Sequence, residues 1–424
     1  MRNLLWLFLL LIVIRSAAQL KPGSFITRFG TNGSVINPEN GQFYSIGVQP
    51  SGAIIVSREG PYGGELLRYN ADGSQDLNFG GGRSMKGIAY LHFPQGNYKV
   101  NDLLVQPDGK IVVLTGDKSN WSPNYIFRFN KDGIADGKFG GTGRVAPDIK
   151  GSTIIHGITL DASGKIIVTG TYQFQSQNKK SLLIAKFNAD GTPDYSFNST
   201  GIRIVLENDG KDYSGEMCRV DGNSSITVTV SREKDCFLRR YTSDGKMDPS
   251  FGVSGQIQLA SSAVFDVDGT GKVAYADDKN LTLLNANGTS ITRSSLPSLS
   301  TIKNVIFQRD GKILLVIRSN SSAPHGFWLE QLNANGSADY SFGKNGDMST
   351  AFGPTASPDA AVVHDYQIYV AGYAEVPVVP NQPAVYFNGA IAVYQASVPP
   401  PTTQTINKDV LQKVLQRPNR TTRQ

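Results

Sequence analysis

The sequence predicts an all-β protein. We read it as a single β-propeller of seven four-stranded blades, its ring closed by an N-terminal strand that completes the last blade. Three observations carry this reading. A two-part repeat runs through the chain. The apolar runs between turn signals have strand length. The last repeat lacks its second half, and a matching half stands near the N-terminus.

The first half of the repeat is an apolar run, a Gly turn and a second apolar run. It is clearest at Val105-Gln106-Pro107-Asp108-Gly109-Lys110-Ile111 and returns at Ser163-Gly164-Lys165-Ile166, Thr270-Gly271-Lys272-Val273 and Asp310-Gly311-Lys312-Ile313. Val48-Gln49-Pro50-Ser51-Gly52-Ala53-Ile54 is a further copy, and weaker ones are Asn223-Ser224-Ser225-Ile226 and Asp365-Tyr366-Gln367-Ile368. The apolar residue after the turn falls at Ile54, Ile111, Ile166, Ile226, Val273, Ile313 and Ile368, a spacing that suits a four-stranded blade with variable loops.

The second half is a strand ending in Asn, then Asp-Gly, a further Asp and Phe-Gly. Asn70 to Gly80 and Asn130 to Gly140 are full copies. Related stretches end at Phe197, Phe251 and Phe342, whereas the copy at Asn285 to Gly288 has lost its Phe-Gly end. Gly accepts φ > 0 without a Cβ clash, so each Asp-Gly or Asn-Gly pair between apolar runs signals a tight turn. The repeated Phe79, Phe139, Phe197, Phe251 and Phe342 read as core plugs between blades. After Ile368 only two further strands precede Pro399-Pro400-Pro401, while Gly23 to Gly30 aligns with Gly73 to Gly80. The N-terminus thus provides the outer strand of blade 7 and removes an exposed sheet edge.

The pairing of Gln-Pro-Asp-Gly-Lys-Ile with Asn-x-Asp-Gly-x-x-Asp-x-x-Phe-Gly resembles the delta-60 repeat of exported bacterial proteins, over residues 23 to 397. The resemblance implies a propeller and a secreted or surface location, and implies no particular activity.

The two ends differ from the body. Arg2, the apolar run Leu4 to Ile14 and Ser16-Ala17-Ala18 read as a signal peptide over residues 1–18, cleaved between Ala18 and Gln19. The run is too short to span a bilayer, so no membrane span is expected. Residues 19–398 are the propeller. Residues 399–424 are a Pro/Thr linker and a basic tail, disordered or with one short helix. The signal and tail hold the whole excess of basic residues, and the body is balanced. A neutral body argues against nucleic-acid binding. Cys218 and Cys236 fall on the first and third strands of one blade, too far apart for a disulfide, so two free thiols are expected.

No nucleophile elbow, P-loop or metal-ligand spacing appears. Asn130, Asp132 and Asp136 stand at alternate positions as calcium ligands would, but three oxygens fall short of the roughly six such a site needs. They read as turn caps, and no cofactor is expected. His156 begins an inner strand and can face the central channel. Varied loops crowd the B–C and D–A connections and carry Tyr90, His92, Trp121, Tyr172, Phe174 and His325, the candidate binding residues. The expected function is a secreted, surface or periplasmic monomer that binds an extracellular or surface protein or glycan through this irregular face. The competing reading is a polysaccharide or small-molecule hydrolase or lyase with its site at the channel.

Overall fold

A computed structural model describes residues 20–396 except 62, 82–85, 94–95, 118–123, 148–151, 175–178, 208, 278–279, 296–299, 320–325, 354 and 377–385. The expected signal, the tail, Trp121 and His325 lie outside the described residues.

The short β-branched runs pair as antiparallel strands in seven sheets. The inner strands are Phe43–Val48, Gly96–Val105, Ser152–Leu160, Tyr213–Val220, Val264–Val267, Ser300–Phe307 and Ala356–His364, which head blades 1 to 7. Each contacts the next inner strand in turn, and Ala356–His364 contacts Phe43–Val48, so the ring closes. Every blade has four antiparallel strands, and blade 2 gains a short fifth, His92–Phe93, beside its inner strand.

Closure follows the N-terminal route. Ser34–Asn40 pairs with Tyr386–Gln395, with Ser34 opposite Ala392 and Ile36 opposite Ala390. The paired segment starts just beyond the aligned Gly23 to Gly30 stretch, which forms the preceding turn. There Gly23 N–H donates to the Gln395 carbonyl (2.8 Å) and Ile26 N–H to that of Val393 (3.0 Å).

The core lies between blades. Phe79, Phe139, Phe197, Phe251 and Phe342 are fully buried, and burying one such ring is worth about 1.5–3 kcal/mol. The residue after the Phe donates its N–H to the next blade's turn carbonyl. Gly30 meets Asp72 (2.7 Å), Gly80 meets Asp132 (2.9 Å), Gly140 meets Asp190 (2.9 Å), Asn198 meets Asp244 (3.0 Å) and Gly252 meets Asn287 (2.9 Å). Gly343 meets Pro22 (2.9 Å). Blade 5, whose copy lost Phe-Gly, has no such bond to blade 6 among the described residues. There Gly336 abuts Thr292 and Leu283.

A charged network accompanies the plugs in blades 1, 2 and 4. Arg128 forks onto Asp136 Oδ2 (3.0 and 2.7 Å), and its guanidinium lies 4.7 Å from the Phe139 ring centroid. Arg68 with Asp76 and Arg240 with Asp248 repeat this. In blade 7 the matching positions are apolar: Val393 and Ile26 share one core cluster. Cys218 and Cys236 stand as free thiols on the first and third strands of blade 4. No described helix is long and apolar enough to cross a membrane.

Candidate functional site at the channel mouth

Side chains on a strand alternate between faces, and one extra residue breaks that alternation. The inner strands break it at one common level. In blade 2, Val100 faces Thr115 and Asp102 faces Leu114, which makes Asn101 the extra residue. The same shift falls at Tyr44 in blade 1, His156 in blade 3, Lys303 in blade 6 and Asp359 in blade 7. In blade 4 it lies between Gly215 and Cys218, at Glu216 and Met217. Blade 5 places Ala263 at this level, ahead of its inner strand.

Tyr44, Asn101, His156, Glu216, Ala263 and Asp359 line the central channel near the D–A and B–C connections. Lys303 joins them through an ammonium–carboxylate contact of 3.1 Å to Asp359. Other side chains orient the ring. His156 Nε2 lies 3.3 Å from Thr171 Oγ1, which donates to Ser214 Oγ of the next blade (2.8 Å). Ser231 Oγ donates to Glu216 Oε1 (2.9 Å). The mouth widens into a cavity of about 650 Å³ lined by Tyr44, Arg58, Lys99, Asn101, Asn124 and His156.

Arg58 is 5% exposed and donates from Nε to Glu65 (2.7 Å) and from Nη2 to Glu39 (2.5 Å). Its Nη1 is buried without a hydrogen-bond partner. Two carboxylates balance this guanidinium.

Deeper in the channel, burial pushes the Asp102 carboxyl up to about 6, against the opposing pull of Arg219, the Leu103 N–H and the Ser45 hydroxyl. Burial also raises Asp266, although Arg219 and the Phe307 N–H (2.8 Å) counter it. Arg219 Nε stands 3.5 Å from Asp266 Oδ1.

The residues singled out in the sequence are placed as follows. His156 is in the ring. Tyr172 is 4% exposed and meets Phe174 edge-on at 4.6 Å, one residue beyond the Thr171 that supports His156. Tyr90 ends the outer strand of blade 1, half-buried against its core. His92 lies on the extra strand of blade 2. Asn130 Oδ1 accepts the Asp132 and Ile134 N–H groups, and Asp136 Oδ1 accepts that of Lys138. Among the described residues no group of three His, Cys, Asp or Glu is placed to hold a metal ion.

Sequence reasoning missed the rest of the ring, although a signal existed. Tyr44, Asn101, His156, Glu216, Ala263, Lys303 and Asp359 all stand five positions before the turn residue aligned at Gln49, Gln106, Asp161, Asp221, Asp268, Gln308 and His364.

Two stretches, residues 49–79 and 162–197, match a family described as a domain of unknown function (DUF5122) beta-propeller. These matches support a β-propeller repeat family without singling out the delta-60 repeat. No curated protein sequence matches the chain. Among solved structures it is similar to a catalytically inactive virginiamycin B lyase from Staphylococcus aureus, crystallised with quinupristin. The TM-score is 0.50 at 13% identity, over 85% of this chain and 99% of that one. A protein of unknown function from Dyadobacter fermentans aligns with a TM-score of 0.45 at 15% identity, over 86% and 98% of the two chains. At these identities the likeness concerns the fold.

Proposed function

We propose that this chain is an exported binding propeller that takes a neutral, hydroxyl-rich ligand, the end or a loop of a glycan, at the channel mouth. The observation that carries the reading is the bulge at one level of six inner strands, which presents Tyr44, Asn101, His156, Glu216, Lys303 and Asp359 toward one mouth. Bulges commonly re-aim side chains at functional sites. Sugar hydroxyls are both donors and acceptors, and this ring offers both. Tyr44, 40% exposed, offers an aromatic face beside them. Export rests on the sequence of residues 1–18 and on the delta-60-like repeats.

The test is a glycan-binding screen with the full chain, followed by titration calorimetry of any hit. His156→Ala and Glu216→Ala should each weaken binding at least about tenfold, the loss of roughly one charge-assisted hydrogen bond. Saturable binding indifferent to both changes would overturn the site. Binding of surface proteins alone would replace the glycan with a protein ligand.

One observation favours a second reading, an enzyme. His156, Glu216 and Asp359 come from three blades to one cavity system, and each is held by a partner, as acid–base chemistry requires. This reading rests on those side chains, since the likeness to a lyase extends only to the fold. New reducing ends or unsaturated products from a bound glycan, lost in Glu216→Gln, would establish it.

A further inference from the structure

Beyond Arg219 the channel continues toward the A–B turns, where it holds a second cavity of about 250 Å³. Arg219 and Asn304 line both this cavity and the one above it, so the two meet at those side chains. The inner wall is charge-paired. Arg219 Nε stands 3.5 Å from Asp266 Oδ1, and its Nη1 donates to the Cys218 carbonyl (2.9 Å). Half-buried Ile306, Val362 and Val363 form apolar sides. At the outer end stand A–B turn residues, Arg309 of blade 6 with Asp365 and Tyr366 of blade 7. The Asp365 carboxylate is exposed and has His364 beside it, Oδ2 to Nε2 3.3 Å.

Arg309 is the cation left over. Its guanidinium is exposed and lies 5.6 Å from the Tyr366 ring centroid, and no carboxylate pairs with it among the described residues. A guanidinium stacked on a ring keeps its N–H edge free, and that edge matches the two oxygens of a carboxylate. The ring beneath it is held in place by an uncommon turn. Blades 1, 2, 3, 5 and 6 place Gly at the left-handed position of the A–B turn, whereas blade 7 holds Asp365 at φ 43° and Tyr366 at φ 59°. A bulky residue is an outlier there, and such strain is usually kept where the side chain has a use. The Tyr366 carbonyl accepts the Ala396 N–H (2.8 Å) and Gln395 Nε2 (3.0 Å), which fixes the turn and with it the start of the side chain.

From this geometry we propose that the cavity is a second binding site, for a small organic monoanion with an apolar body. The carboxylate pairs with Arg309 at the outer end, and the body lies against Tyr366, Ile306, Val362 and Val363. One unpaired guanidinium suits a single negative charge. The paired Arg219 and Asp266 set the inner limit and favour a body that ends without charge. Pockets for drug-sized ligands measure roughly 300–1,000 Å³, so this smaller cavity suits a body of about one ring. The inference is independent of the ligand proposed for the other mouth.

Titration of the full chain with 3-phenylpropionate, read by ligand-observed NMR, tests this. Binding should saturate, and His156→Ala and Glu216→Ala at the other mouth should leave it unchanged. Arg309→Gln, at an exposed position, should weaken it at least about tenfold, the loss of a charge-assisted pair. Tyr366→Gly suits the backbone, removes the ring and should weaken it roughly fivefold. 3-Phenylpropanamide keeps the body without the charge, and acetate keeps the charge without the body. Each should bind at least about tenfold more weakly than 3-phenylpropionate. The absence of saturable binding would overturn the proposal, as would an Arg309→Gln chain that binds equally well. Equal affinity for the amide would remove the role of the charge, and equal affinity for acetate that of the cavity; either sinks the assignment. Binding lost in His156→Ala or Glu216→Ala would also overturn it, by moving the ligand to the other mouth.

Discussion

Asn388 donates from Nδ2 to the backbone carbonyl of Asn37 at 2.7 Å, although 351 positions separate them. Asn37 in turn donates from its own Nδ2 to the Tyr69 hydroxyl at 2.6 Å, in blade 1. The closing strand is therefore fastened both to the blade it completes and to the blade that follows.

Deleting residues 20–36 should unfasten that closure. The strand Tyr386–Gln395 would then become an open edge, and its amides should exchange far faster while those of Ile166–Gln173 in blade 3 stay protected. Hydrogen exchange read by mass spectrometry checks this. Uniform loss of protection around the ring would mean that the blades do not melt separately.

The Arg128–Asp136 pair should be costly to halve and cheap to replace. Burial alone would raise the Asp136 carboxyl, but Arg128 and the Lys138 N–H outweigh it and hold it below the usual range. Arg128→Val strands that carboxylate and should cost about 3 kcal/mol in urea unfolding. Arg128→Val with Asp136→Ile copies the Val393–Ile26 arrangement of blade 7 and should recover most of the loss. A double variant weaker than either single change would refute this.

Asp102 makes stability fall as pH rises. Its folded carboxyl titrates at about 6, whereas an unfolded Asp titrates near ~3.9. Between these values the folded state holds the extra proton, so the penalty is absent below about pH 4 and complete above about pH 6. Asp102→Asn should raise Tm at pH 7 and leave it nearly unchanged at pH 4. An equal gain at both pH values would show that the effect is not protonation.

The join between blades 5 and 6 should open first. Among the described residues it has neither the Phe plug nor the N–H bond to the next blade's turn found at the other joins, and the outer strand Ser290–Ser295 is largely exposed. Amides of Ser290–Ser295 should exchange before those of Asp347–Ala351, the outer strand of blade 6. The reverse order would assign the plug no role in cohesion.

The fold was legible because its information is local and repeated. Asp-Gly turns, strand-length apolar runs and the stranded half-repeat at Gly23 each have a short-range cause, and together they leave few arrangements. The site was legible only at His156. Tyr44, Glu216 and Asp359 look ordinary in their own segments, and they gain meaning from register, because a bulge is visible only once each inner strand is paired with its neighbour. The aromatic loop residues drew attention through composition, yet Tyr172 packs inward against Phe174.

The bulges also separate two kinds of selection. A residue inserted out of register owes nothing to the alternating core, so Tyr44, Asn101, His156, Glu216, Lys303 and Asp359 form an array of one exchangeable letter in each of six blades, whereas Ala263 of blade 5 belongs to a core cluster. Different side chains could be written into that array without rewriting the ring beneath it. Divergence among related chains should therefore concentrate at these six places, with the Phe plugs held constant.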